Sequence, residues 1–250
     1  MNAPLGLKEY CEEKLLSESN LREYLNLSAI VSVELDEGVV HDLLVLLPDE
    51  VFEGRFKPKF GECFVLNDQK SLPPVFTRFK SHSWLRRDFA RRLPIALWIF
   101  RKSVVMQDPG GDFGTILREY NTLFEQDLKN IIKRKYIELR SDRHNLRQTI
   151  SRGDRLASDL LKANVVKLAL ELLMLSHGKP YPYKKWLAIE TGRFTSGQHL
   201  LDISSRFIET REPKDIISLS DELVGLVIKL LESGTQLPPT FLKEWWLHLS

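Results

Sequence analysis

Between Gly153 and Leu187 the chain gathers its densest set of groups that could do chemistry. An apolar helical stretch ends at His177-Gly178 and runs into Lys179-Pro180-Tyr181-Pro182-Tyr183-Lys184-Lys185-Trp186. Tyrosine rings can stack a base or sugar, and a lysine ammonium meets phosphate as a compact charge. Tyr183, Lys184 and Lys185 are therefore candidates for holding a nucleotide. The competing reading is structural: Tyr181, Tyr183 and Trp186 cap a helical core while the lysines face water.

A second candidate sits in an apolar run, Val39-Val40-His41-Asp42-Leu43-Leu44-Val45-Leu46-Leu47. A carboxylate in such a strand is costly to desolvate unless something pairs with it. Asp42 then reads as a metal ligand or general base at a sheet surface. Otherwise it sits at an edge or in an ion pair with a nearby arginine. A third feature is the cluster Arg78, Lys80, Arg86, Arg87, Arg91, Arg92, Arg101 and Lys102, with Asp88 among them. Such a local field attracts phosphates. Arg86, Arg87, Arg91 and Arg92 are the candidate contacts to nucleic acid, a reading that demands steeply salt-dependent binding. A solvated helix face is the plainer alternative.

Other residues offer less. His82, His177, His199 and His248 show no metal-ligand spacing, and Arg140 lies too close to His144 for the arginine-histidine ribonuclease motif. Trp245-Trp246 reads as a staple for the last helix. Cys11 and Cys63 are too few for a disulfide framework and too isolated for a zinc site. The net charge of +2 gives no whole-chain argument for nucleic acid. No basic segment followed by an apolar core opens the chain, and no apolar run reaches the roughly 18 residues a membrane span needs. A reduced, cytoplasmic protein without a membrane partner is expected.

Hydrophobic spacing places the elements that would position these groups. Residues 5–25 read as a helix. Residues 28–35 and 39–47 read as a hairpin, with Asp36-Glu37-Gly38 as its turn. Residues 52–61, with Gly54, Pro58 and Gly61, read as a loop. Residues 62–66 form a third strand and 75–79 a short edge strand. Residues 83–101 are helical with a kink at Pro94, and 104–106 form a last strand. After Asp108-Pro109-Gly110-Gly111 the spacing becomes helical throughout: 112–152, 155–176, 182–190, 196–209, 213–232 and 238–248. Ser220-Asp221-Glu222 looks like a helix start within the fifth of these. The expected fold is α+β, with a small mixed β-sheet domain at 1–108 and an antiparallel helical bundle at 109–250.

Three segments resemble the nucleotidyltransferase superfamily. They are Ala96-Leu97-Trp98 through Gln107-Asp108-Pro109-Gly110, Asn145-Leu146-Arg147-Gln148-Thr149-Ile150 with Arg152-Gly153-Asp154, and Lys179 to Leu187. Together they cover roughly residues 95–190. The likeness is to small members with a polymerase-β-like head and a helical C-terminal domain, of the kanamycin and lincosamide types. It implies transfer of a nucleoside monophosphate from a nucleoside triphosphate to a hydroxyl of a small molecule, RNA or protein. It also implies magnesium held by aspartates at alternate strand positions and by a third carboxylate on a neighbouring strand, with a Gly-Ser loop for the phosphates.

The chain departs from that pattern. Asp42 matches the second aspartate, but the first falls on Val40 and no Gly-Ser follows Ser32. Glu34 and Glu62 are the candidates for further magnesium ligands. The two functional expectations are an active nucleotidyltransferase and a binding or interaction module of the same fold without transfer activity. A nucleotide, an acceptor and a second copy of the chain are the expected partners.

Overall fold

The computed structural model describes residues 7, 9–33, 41–71, 73–235 and 237–248. They fall into two compact units, Met1–Leu123 and Phe124–Ser250.

The first unit is built on a five-stranded mixed sheet. Its strands are β1 (Ala29–Ser32), β2 (His41–Leu47), β3 (Val65–Asp68), β4 (Val75–Ser81) and β5 (Val104–Gln107), in the order β3-β4-β2-β1-β5. The expected hairpin is present, with Ala29 opposite Leu46 and Ser32 opposite Leu43. Its turn, Asp36-Glu37-Gly38, lies outside the described residues. β2 also pairs in parallel with β4, Asp42 opposite Phe76. The edge-strand expectation for 75–79 is therefore corrected: β4 lies inside the sheet, between β2 and β3. Val75, Thr77, Phe79 and Ser81 are buried, while Phe76, Arg78 and Lys80 are more open. One polar face is enough to make an interior strand read as an edge.

One face of this sheet packs on an aromatic cluster. Leu43, Val45, Leu47, Val75 and Phe79 meet Tyr24, Phe52 and Phe56 there. The loop expected at 52–61 is in fact helical, in consecutive turns Asp49–Val51, Phe52–Phe56 and Lys57–Phe60. Phe52, Phe56 and Phe60 recur at a spacing of four, which puts their rings on one side. Phe56 sits 5.7 Å from Phe52, 4.9 Å from Phe60 and 4.9 Å from Phe79. Pro58 falls early in its turn, where no amide hydrogen is needed. Gly61, at φ 88°, ends the run in a conformation other residues avoid. The single helix expected over 5–25 is broken into a π-type turn at Tyr10–Leu15 and a short helix at Arg22–Leu25. Its apolar residues are still the buried ones.

Helix α1 (His82–Arg101) starts where the Ser81 hydroxyl accepts the Trp84 amide at 3.1 Å. It is interrupted at Arg92, whose φ of −147° and ψ of 48° fall two residues before Pro94. This is the expected proline kink.

Helix α2 (Asp112–Ser151) contributes to both units. The second unit adds α3 (Arg155–Ser176), α4 (Lys184–Thr191), α5 (Thr195–Glu209), α6 (Pro213–Gly234) and α7 (Pro239–Lys243), then a short turn at Trp245–His248. The Arg152-Gly153-Asp154 motif is a helix junction. Gly153 takes φ 70° after α2, the Asp154 amide reaches back to Thr149 O at 3.0 Å, and the Asp154 carboxylate caps α3. α3 packs against α4, α5 and α6, with Leu168 to Ser176 buried in an unbroken run. Ser220-Asp221-Glu222 does not start a helix but lies within α6, where Asp221 receives Arg143 and Arg147. No helix among the described residues is long and apolar enough to cross a membrane.

Candidate functional site

Asp42 stands near the start of β2, its side chain about one-third exposed at 34%. It is in register with Phe76 on parallel β4, and strand residues alternate sides. Arg78 therefore shares the Asp42 face, and its Nη2 lies 2.9 Å from Asp42 Oδ1. The ion-pair alternative read from the apolar strand is what the structure contains, with the partner on a neighbouring strand. Leu44 and Leu46, further along that face, are buried. Ser32 lies in register with Leu43, so it belongs to the opposite, core-packed face and is fully buried.

The other carboxylates stand apart in chemistry. Glu62 is largely exposed, with Lys57 Nζ 3.9 Å from its carboxylate. Glu34 and Val40 lie outside the described residues. A magnesium pair needs converging anionic oxygens. Here Asp42 meets a guanidinium, whose charge repels a dication, and no three Asp, Glu, His or Cys side chains gather in a metal-holding group among the described residues. Among the described residues, Asp42 and Glu62 do not make up a two-metal set.

The aromatic and basic turn belongs to the second unit. α3 closes at Gly178, at φ 67°, where the Lys179 amide donates to Met174 O at 3.0 Å. Tyr181 is buried and Tyr183 half-buried, while Lys184 and Lys185 are exposed in the first turn of α4. The Trp186 amide donates to Tyr183 O at 2.9 Å, and Lys185 Nζ lies 5.2 Å from the Trp186 ring centre. Tyr181 packs into the core, and the Lys184 and Lys185 side chains meet solvent. No acidic residue occupies the first turn of α4. Two ammonium groups thus lie at the positive end of its dipole.

Sequence reasoning missed what lies beneath this turn. Glu171, 3% exposed, sits on α3 with Lys135 Nζ at 2.9 Å and Lys167 Nζ at 3.6 Å. Lys135 Nζ also lies 5.6 Å from the Tyr181 ring centre. Burial, with the Glu171 charge beside it, pushes the Tyr181 hydroxyl up to about 12, so it stays protonated. Burial opposes the Lys135 charge, yet the Glu171 carboxylate beside it carries its pKa above the ordinary lysine value. A charged residue inside the apolar α3 run was the available signal.

The arginine cluster is partly neutralised. Arg86 pairs with Glu119, and Arg92 reaches Asp88 at 2.6 Å. Arg87 and Arg91 stand exposed one turn apart on α1. Arg140 donates to Tyr136 Oη and Leu242 O, and His144 contacts Gln148, so both serve α2 and its neighbours. Trp245 is half-buried beneath Arg140, and Trp246 is 53% exposed. A pocket of about 560 Å³ lies in the first unit between Tyr10, Lys14, Asn67 and Asp68, and one of about 300 Å³ in the second between Asp154, Arg155, Arg211 and Ile216. Neither is lined by Asp42 or by the turn.

With this geometry in hand, known proteins place the fold. The chain aligns over 96% of its length, and over 78% of the other chain, with the crystal structure of a nucleotidyltransferase-like protein from Exiguobacterium sibiricum 255-15, at a TM-score of 0.56 and 14% identity. The fold is that of nucleotidyltransferase-like proteins: a mixed five-stranded sheet followed by a mostly helical region. Residues 94–187 match a family described as a domain of unknown function, DUF4037. No curated protein matches the chain.

Proposed function

We propose that this protein is a nucleotidyltransferase-fold binding module that takes a nucleotide without transferring it. The observation that carries this reading is the 2.9 Å ion pair between Arg78 and Asp42. An active site of this class holds its triphosphate through metal ions on strand carboxylates. Here the matching strand carboxylate is neutralised by a guanidinium from the strand beside it. Tyr183, Lys184 and Lys185 supply the complementary ligand chemistry: a ring face for base or sugar and two ammonium charges for phosphate. The kanamycin- and lincosamide-type likeness of residues 95–190 is the finer part of the same reading.

Calorimetric titration with ATP tests it, first in EDTA and then with Mg²⁺. Binding should occur in EDTA, weaken in Lys185→Ala, and remain in Asp42→Asn, with no pyrophosphate released. Mg²⁺-dependent pyrophosphate release that Asp42→Asn abolishes would instead establish the active transferase.

A further inference from the structure

The segment Lys179–Tyr183 has no regular secondary structure. Pro180 and Pro182 contribute no amide hydrogens, and each disfavours helical backbone in the residue before it. Ladder hydrogen bonds therefore do little to hold this segment, and a side chain must anchor it. Tyr181 is the buried one, at 6% exposure, and Lys135 Nζ from α2 lies 5.6 Å from its ring centre. Lys135 is in turn held by Glu171 Oε2 at 2.9 Å, with Glu138 at 3.6 Å on its other side. Lys167 is the second cation facing Glu171, at 3.6 Å.

Burying a carboxylate this deeply is a poor way to gain stability. An apolar pair of similar volume often matches or exceeds a buried ion pair. What an ion pair supplies that an apolar pair does not is direction, because the ammonium must stay where the carboxylate and the ring both meet it. Every other α3 residue from Leu168 to Leu175 is apolar and buried, so the charge stands out in that run.

We infer that the Lys135–Glu171 ion pair is a strut that fixes Tyr181 and, through it, sets the Tyr183–Lys185 edge for its ligand. Both residues are positioning residues. The ligand half of this inference rests on reading the turn as a nucleotide-binding edge, whereas the strut itself does not.

The test uses the full chain with Lys135→Met/Glu171→Leu, which keeps side-chain volume and removes both charges. Lys135→Met alone is the companion variant, in which Lys167 is left as the cation facing Glu171. Hydrogen exchange at the Trp186 amide reads the turn directly, and exchange across α6 reads global stability. In the folded variants α6 stays protected, Trp186 exchanges about tenfold faster through local opening, and ATP affinity measured in EDTA falls about tenfold. Lys135→Arg, which keeps the charge, restores both. Unchanged Trp186 exchange in a folded Lys135→Met protein overturns the strut. Failure of the wild-type chain to bind ATP, or no effect of Lys185→Ala, overturns the nucleotide reading while leaving the exchange result to decide the strut.

Discussion

Arg78 and Asp42 come from parallel neighbouring strands and meet at 2.9 Å on the same face of the sheet. Asp42 is in register with Phe76, so a residue two further along β4 leans back to reach it. Both side chains keep substantial exposure, 52% for Arg78 and 34% for Asp42. The pair therefore matters more for what it denies a cation than for what it adds to stability.

Removing that guanidinium separates the two effects. Arg78→Ala should change unfolding free energy by no more than about 1 kcal/mol, as for other solvent-exposed ion pairs. It should also free Asp42 for a cation. Terbium luminescence is expected to rise in Arg78→Ala and to return to the wild-type level in Arg78→Ala/Asp42→Asn. Equal luminescence in wild type and Arg78→Ala would show that the ion pair does not keep cations from Asp42.

Acid should weaken the first unit through Asp68. Lys14 donates to its carboxylate at 3.0 Å, the Ser71 hydroxyl at 2.8 Å and the Lys70 amide at 2.9 Å, holding its pKa well below the usual carboxylate value of 3.8. The folded state thus favours the ionised form. That stability is fully present above 3.8 and is lost as pH falls through the lower, folded-state value. Asp49 behaves alike: burial raises its pKa, but the Ser83 hydroxyl and amide outweigh that and lower it. Urea unfolding should show Asp68→Asn less stable than wild type at pH 7, with the gap narrowing by about pH 3, below the unfolded-state value. A gap that stays constant with pH would refute the assignment.

Thiol chemistry should distinguish the two cysteines. Cys63 is exposed, whereas Cys11 is buried. Burial, helped by Glu12, pushes the Cys11 thiol up to about 11. A disulfide reagent at about pH 8, where reaction needs the thiolate, should titrate Cys63 in the native protein and Cys11 only after denaturant is added. Rapid native reaction in Cys63→Ser would show that the π-type turn carrying Cys11 opens readily.

Gly197 should tolerate no side chain. A Cβ there would stand 1.9 Å from Thr191 O, at the close approach of α5 to the end of α4. Backbone must move to admit it, so Gly197→Ala should cost about 1–3 kcal/mol or more, the range for overpacked sites. Gly225→Ala meets nothing within 4 Å and serves as the control. Because α4 carries Lys184 and Lys185, Gly197→Ala should also lower ATP affinity. Thermal melts of both variants, with calorimetry on any that fold, check this.

Much of the fold was legible because it depends on local periodicity. The β1–β2 hairpin, the Pro94 kink and the bounds of α3 follow from apolar spacing and breakers within a few residues. The helical run at Asp49–Phe60 was not legible, because Gly54 and Pro58 look like loop residues until Phe56 is seen stacked on Phe79, 23 positions away. β4 looked like an edge because its polar face is visible in the chain and its two strand neighbours are not.

The candidate site divides the same way. The amino-acid order alone determined that Tyr183, Lys184 and Lys185 follow a buried helix, and that Asp42 sits in an apolar strand and must find a partner. Only the tertiary structure decided that the partner is Arg78 and that Lys135 reaches both Glu171 and Tyr181. Residues 36 positions apart meet through strand register, and α2 meets α3 through helix packing. Neither distance is written in local spacing, because electrostatic pairing depends on separation in space, falling off within several ångströms, and not on separation along the chain.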